Sequence, residues 1–395
     1  HYVKGLELIN NGRGVRAALE EFTRATQLDS THSQSWLQVI MMKSWHIFAR
    51  FDSANRFLPE IEQHIDYLEK DHSQWVIDMA RGIYQFQALG NYEEGYRNFI
   101  KVIEHAPDTE LAHLNLALYY LFILDIQQAF KHQSRAVQLN PQSAINWSVL
   151  SGIFGINGDY ENQLTAYHKA LELGFDSTAY DALPDMYYDA GLPYDSIPDK
   201  YRLPNSKITR KKRAYNTNDP SHVIKAIKDI PLDSIAGRDN YTRLEHYQDM
   251  AHAYKALYKD DSARYYANLC VQESKDNERD EWLRVYTCYC ILGEINKMNE
   301  LFAKYFPIDT EDIANLAVQQ LAHIDWLIDS EKYEEATSTL IEFNKDYPTW
   351  GDYSVFTRYY FDRIKKEHPP FAEALKTLQL PPPLLEKNEL KRLKY

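Results

Sequence analysis

The stretch AINWSVLSGIFGINGDYENQLTAYHKAL, residues 144–171, holds two helix-length segments separated by Gly158-Asp159. In the first, Trp147, Leu150 and Phe154 recur at spacings of three and four, which is one face of a helix. In the second, Tyr160, Tyr167 and Ala170 mark another such face. Gly-Asp between them is turn chemistry. The stretch reads as a helical hairpin.

The hairpin recurs upstream at a fixed step. Gly90-Asn91-Tyr92 precedes Gly158-Asp159-Tyr160 by 158 − 90 = 68 residues, twice 34, and Leu124-Asp125-Ile126 stands midway. Ala106-Pro107 and Asn140-Pro141 repeat at the same step. The columns Phe86, Tyr120 and Phe154, and Val102, Ala136 and Ala170, agree in register. In the second helix of each unit a small residue (Ala18, Ala54, Gly95, Ala129) lets two helices approach. Phe22, Leu58 and Phe99 follow four residues later, and Ala25, Ile61 and Val102 three after that. Pro107 and Pro141 stop their helices, because Pro lacks an N–H and disfavours helix in the residue before it. A repeat of this length cannot bury its apolar face alone and must stack on its neighbours.

These columns resemble the tetratricopeptide repeat, A-x3-F-x2-A with Pro five residues on. AALEEFTRATQLDS (17–30) and QAFKHQSRAVQLNP (128–141) are second helices of that type, while Gln163 departs from the expected small residue. The resemblance implies an all-α α-solenoid, a right-handed superhelix of helix–turn–helix repeats, here in two arrays. Residues 1–192 read as an N-terminal array, with a stretched second unit whose helix runs on from Ala54 to Leu68. Residues 193–240, with five prolines and the basic run KITRKKR (207–213), read as an irregular connector with a short helix at 221–229. Residues 241–380 read as a C-terminal array and 381–395 as a charged tail serving as a polar end cap.

A second resemblance concerns the ends. Y-x2-G at Tyr2–Gly5 and HPPFAEALKTLQLPP (368–382) look like tetratricopeptide regions attached to bacterial winged-helix regulators, class III adenylate cyclases and serine/threonine kinases. His368 and Gln379 depart from that closing segment. The resemblance implies the regulatory or sensory part of a larger bacterial signalling protein. A free-standing scaffold for complex assembly is the alternative. The chain opens on His1 rather than Met, so a preceding segment is expected.

In this family the first helix of each pair lines a concave groove. The residues so assigned are Ile77, Arg81 and Tyr84; Leu111, Leu114, Asn115 and Leu118; and Ile145, Ser148 and Val149. The Lys and Asn clamp that grips a chaperone's C-terminal carboxylate is not among them, so the implied partner is a protein or peptide of apolar or mixed character. Lys207, Arg210, Lys211, Lys212 and Arg213 form a candidate docking patch for an acidic partner. The 30 Tyr suit half-buried helix faces, one member of each Tyr-Tyr pair in the core and the next more exposed.

Composition narrows the rest. A net charge of −13 disfavours broad nucleic-acid or anionic-membrane binding. With 14 Gly in 395 residues, glycine-rich phosphate loops are not favoured, and three Cys exclude a disulfide scaffold and lean toward a reducing, cytoplasmic setting. The alternative is the extracytoplasmic region of a membrane-anchored regulator. Cys288 and Cys290 lie about 200° apart on a helix and cannot share a metal. No nucleophile elbow, zinc-protease pair or kinase signature occurs, and the carboxylate pairs of EEGY and YEEA read as solvated helix faces. The expectation is a non-enzymatic module with no cofactor, no metal and no membrane span.

Overall fold

The structure, a computed structural model, describes residues 1–10, 15–48, 54–175, 182–202, 214, 217, 219–228, 230, 243–274, 282–305, 320–321, 323–328, 331–347, 362–378 and 384. The basic run 207–213 lies outside the described residues. Among the described residues there is helix and turn but no strand. The described residues are all-α, and their helices pair into successive hairpins. It divides into two compact units, His1–Ala179 with Pro383–Tyr395, and Tyr180–Pro382.

Unit 1 runs α1 (Tyr2–Asn10), α2 (Val15–Leu28), α3 (Ser33–Phe48), α4 (Ala54–Asp71), α5 (Gln74–Ile83), α6 (Tyr92–His105), α7 (Glu110–Phe122), α8 (Ile126–Leu139), α9 (Ala144–Ile156) and α10 (Tyr160–Glu172). A single π turn, Tyr84–Ala88, extends α5. Helices pair as α1–α2, α3–α4, α5–α6, α7–α8 and α9–α10, and each pair packs on the next.

The turn inside the pairs explains the 34-residue step. Gly90, Leu124 and Gly158 take positive φ values of 71°, 57° and 76°. A left-handed residue there ends the first helix and lets the following N–H reach back to an orphan carbonyl. Asp125 N donates to Tyr120 O at 2.8 Å and Asp159 N to Phe154 O at 2.9 Å, each five residues back. The side chains of Asp125 and Asp159 then cap α8 and α10 by accepting from Gln128 N and Asn162 N. Glycine tolerates the conformation, and Leu124 adopts it at a cost of about 1 kcal/mol.

The columns read from sequence form the core. Ala18, Phe22, Phe99, Val102, Ala129, Ala136, Phe154 and Ala170 are all fully buried. Truncating any of the three phenylalanines to Ala would cost about 3–5 kcal/mol. Polar ties join successive pairs: Gln87 Nε2 donates to Asn115 Oδ1 at 3.0 Å, and Asn146 Nδ2 to Glu110 Oε1 at 2.7 Å.

Unit 2 contains α11 (Leu183–Asp189), the 3-10 turns Tyr194–Ser196 and Asp199–Tyr201, α12 (Pro220–Ile227), α13 (Arg243–Ala256), α14 (Asp260–Glu273), α15 (Trp282–Leu292), α16 (Ile295–Tyr305), α17 (Tyr333–Asp346), α18 (Asp362–Glu367) and α19 (Pro369–Thr377). The same turn recurs at Tyr258, Gly293 and Glu331, with φ of 57°, 74° and 60°, at steps of 293 − 258 = 35 and 331 − 293 = 38. The short helix read inside the connector is α12. Its Val223 and Ile227 are fully buried against Met250 and Ala253 of α13. Tyr194, Ile197 and Tyr201 are buried as well, so the described parts of the proline-rich segment are packed. Leu384, read as part of a charged tail, packs on α8–α10 of unit 1.

Candidate protein-binding surface

Unit 1 divides the expected groove residues by burial. Ile77, Tyr84, Leu111, Leu114 and Asn115 are buried in the core. Asn115 is fully enclosed: its Oδ1 accepts from Gln87 and its Nδ2 donates to Leu111 O at 2.8 Å. Leu118, Ile145, Ser148 and Val149 are half-buried. Leu118 and the pair Ile145 and Val149 pack on one cluster that includes Leu111 and Leu114, so α7 and α9 present a common apolar strip. Beside it Gly152 is exposed, with no atom within 4 Å of where a Cβ would stand. Arg81 is exposed and pairs with Glu69 at 2.5 Å.

A cavity of about 370 Å³ opens between α4, α5 and α6. Glu62, Ile65 and Asp66 come from α4, Arg81 from α5, Tyr84 and Gln85 from the π turn, and Glu94, Asn98 and Lys101 from α6. The π turn sets this geometry. Leu89 N donates to Tyr84 O at 3.1 Å, and Asn91 N reaches six residues back to Gln85 O at 2.8 Å. The other hairpins of unit 1 with a described turn reach five, so this one absorbs an extra residue. π turns of this kind often mark functional sites.

Tyr84 Oη donates to Glu62 Oε1 at 2.6 Å. Burial first, and the neighbouring carboxylate second, push the phenol up to about 12. It is therefore a hydrogen-bond donor at neutral pH. The Asn98 amide donates to Glu94 O at 2.7 Å. The lining carries three carboxylates and two cations, 2 − 3 = −1 in formal charge. With the Ile65 and Tyr84 side chains beside them, these groups suit a cationic or amide side chain on an aliphatic stem.

Next to the cavity, α6–α8 are locked by aromatic and imidazole contacts. Tyr96 stacks on Tyr119 at 4.5 Å, and Tyr119 Oη donates to Glu93 at 2.6 Å. Tyr120 stacks on His132 at 5.4 Å. His132 Nδ1 lies 3.0 Å from His113 Nδ1, and His113 Nε2 lies 2.9 Å from Pro107 O. The carbonyl can only accept, so His113 carries its proton on Nε2, and His132 donates from Nδ1. Burial, then His113 and Lys131, hold His132 down to about 4, and burial lowers His113 too. Both rings are neutral at pH 7.

Sequence reasoning reached Arg81 and Tyr84 but missed Glu62, Asp66, Asn98 and Lys101, which lie on second helices rather than on the expected lining helices. EEGY, read as a solvated face, contributes Glu94 to the cavity and Glu93 to Tyr119. The recurrence of polar residues at 94, 98 and 101, one face of α6, is the signal that would have found them. Tyr pairs divide as read at 119–120 and 187–188, where Tyr119 and Tyr187 are buried and their partners half-buried; at 265–266 Tyr265 is 60% exposed and Tyr266 only half-buried, and the pair at 359–360 lies outside the described residues. Cys270, Cys288 and Cys290 are buried and none is in a disulfide. Among the described residues no group of three or more His, Cys, Asp and Glu is placed to hold a metal. No helix among them is long and apolar enough to cross a membrane.

No protein-family model and no curated protein matches the chain. Among solved structures, the chain is similar to one in the APC/C hetero-tetramer Cut9-Hcn1, at 17% identity and a TM-score of 0.40, over 83% of this chain and 58% of that one. It thus spans little more than half the length of that protein. Further similarities are to the P58(IPK) TPR domain (13% identity, TM-score 0.22, 95% of this chain and 97% of that one). Naa15/Naa10 bound to HypK-THB follows at 12% identity and a TM-score of 0.29, over 98% and 68%.

Proposed function

We propose that unit 1 is a non-enzymatic protein-binding array. It holds a segment of another protein along Leu118, Ile145, Ser148 and Val149, and takes one of that segment's cationic or amide side chains into the cavity beside Tyr84. The observation that carries this reading is the cavity itself, a mixed-charge recess formed where one hairpin departs from its neighbours by a residue. Half-buried apolar residues on α7 and α9 supply the contact area. The remaining first-helix positions, Ile77, Leu111, Leu114 and Asn115, support that surface from beneath.

The wider setting is proposed from the sequence ends: the regulatory or sensory part of a larger bacterial signalling or transcription-regulator protein, in the cytoplasm or, alternatively, outside it on a membrane-anchored regulator. The basic run 207–213 is proposed as a second, acidic-partner dock. Selection of a displayed peptide library on the full chain tests the binding reading. Selected peptides should carry Lys, Arg, Gln or Asn beside apolar residues. Both Leu118→Asp and Lys101→Glu should change their affinity by at least about tenfold with helicity unchanged. Indifference of every selected peptide to both substitutions would contradict the reading.

A further inference from the structure

Leu384 lies in an unusual place for a residue of a charged tail. It packs against Ile126, Ala129 and Ile153, and against the cluster of Val137, Trp147, Leu150, Phe154, Ala166 and Ala170. Phe130 of α8 belongs to both surroundings, and its ring lies 5.6 Å from that of Phe154. Leu384 therefore seats where α8, α9 and α10 meet, and Pro383–Tyr395 belongs to unit 1 although the residues before it belong to unit 2.

The seat is made from repeat columns. Ala129, Ile153 and Phe154 are fully buried, and Phe86, the equivalent of Phe154 in α5–α6, is core as well, so the three helices stand without the leucine. Leu384 itself is only half-buried. One leucine buried to that extent contributes about tenfold to occupancy, too little to hold a free peptide at micromolar concentration. Tethered in the same chain, the segment is present at an effective concentration in the millimolar range, and the seat stays filled. Such an occupant is held by connection rather than by strength.

We infer that the seat of Leu384 on α8–α10 is a recognition site for a leucine-bearing segment, filled in cis by Leu384 as a displaceable occupant. This rests on reading unit 1 as a peptide-binding array. A partner presenting a leucine after a proline, as in PLLEKNELKRLKY (383–395), competes for the seat and frees the chain's own end.

The test uses the full chain, wild type and Leu384→Asp, titrated to millimolar concentration with a fluorescent peptide of sequence 383–395 and with a control peptide carrying the same Leu384→Asp change. Circular dichroism first verifies equal helicity. Leu384→Asp protein should bind the unaltered peptide at least about tenfold more tightly than wild-type protein does, since its own segment no longer competes. The control peptide should not bind, and Phe130→Ala added to Leu384→Asp should abolish the gain. Equal affinity of the two proteins, or equal affinity of the two peptides, overturns the inference. A Leu118→Asp chain that loses library peptides while the Leu384→Asp chain still captures the segment separates this site from the α7–α9 strip.

Discussion

Hairpins α5–α6 and α9–α10 are the same unit solved in two ways. In α9–α10 the turn closes five residues back, from Asp159 N to Phe154 O. In α5–α6 it closes six back, and a π turn takes up the difference. The small residue of the first helix records the same count. Ser151 precedes Tyr167 by 167 − 151 = 16 residues and Ala117 precedes Gln133 by 133 − 117 = 16, but Gly82 precedes Phe99 by 99 − 82 = 17. Gly82 has to be glycine, since a Cβ there would lie 2.5 Å from the Phe99 ring. The cavity lies against the irregular hairpin. Stacked repeats thus tolerate a local extra residue, provided that a glycine and a bulged turn return the helix to register.

Single-residue deletions give the largest contrast. Removing Leu118 from α7 turns the first part of that helix by about 100° against its partners and should unfold the unit cooperatively. Removing Gln85 from the π turn should leave the chain folded with helical content intact, because it restores the spacing of the other hairpins. Melting followed by circular dichroism distinguishes them, and equal damage would mean that the π turn is not an inserted residue.

Charge in the core comes next. Leu114→Asp should cost about 3–5 kcal/mol, whereas Leu118→Asp on the half-buried strip should cost under about 1 kcal/mol, both read by urea denaturation. Equal costs would erase the division between core and strip. Glycine substitutions then separate the hairpins directly. A Cβ on Gly95 would meet Phe86 Cβ at 2.6 Å, so Gly95→Ala should destabilise by about 1–3 kcal/mol. Gly152→Ala, on exposed helix with open space around it, should stabilise by about 0.5–1 kcal/mol.

A smaller, graded effect is expected from acid. His132 and His64 are both held down to about 4, below the ordinary value of 6.5. For His64 the causes are burial and then Lys43, whose Nζ lies 2.8 Å from its Nε2, against an opposing Glu60. The unfolded chain takes up these protons first. Stability should therefore be full above pH 6.5 and fall as pH drops from 6.5 toward 4. Replacing His132 by Asn should flatten part of that slope. An unaltered slope would locate the sensitivity elsewhere.

The repeat was legible because close packing imposes residue size at fixed steps, and those sizes survive in Ala129, Ala136, Phe154 and Ala170. The turns were legible for a similar reason, since Gly90 and Gly158 supply a backbone conformation that few residues accept. The cavity was hidden. Met79, Ile83 and Phe86 still read as an ordinary helix face across the π turn, and a bulge leaves no composition mark. Asn115 was hidden for another cause. Its column points along the expected lining, but its partner Gln87 lies in the preceding hairpin, and a pairing between repeats cannot be read from one helix. Leu384 lay in a segment, 383–395, where six charged residues outnumber four leucines.

Hydrogen exchange of the full chain with and without a library-selected peptide tests the central claim most directly. The account predicts added protection in α7, in α9 and across residues 84–101, with little change in α1–α3. Protection confined to other helices, or none at saturating peptide, would contradict it.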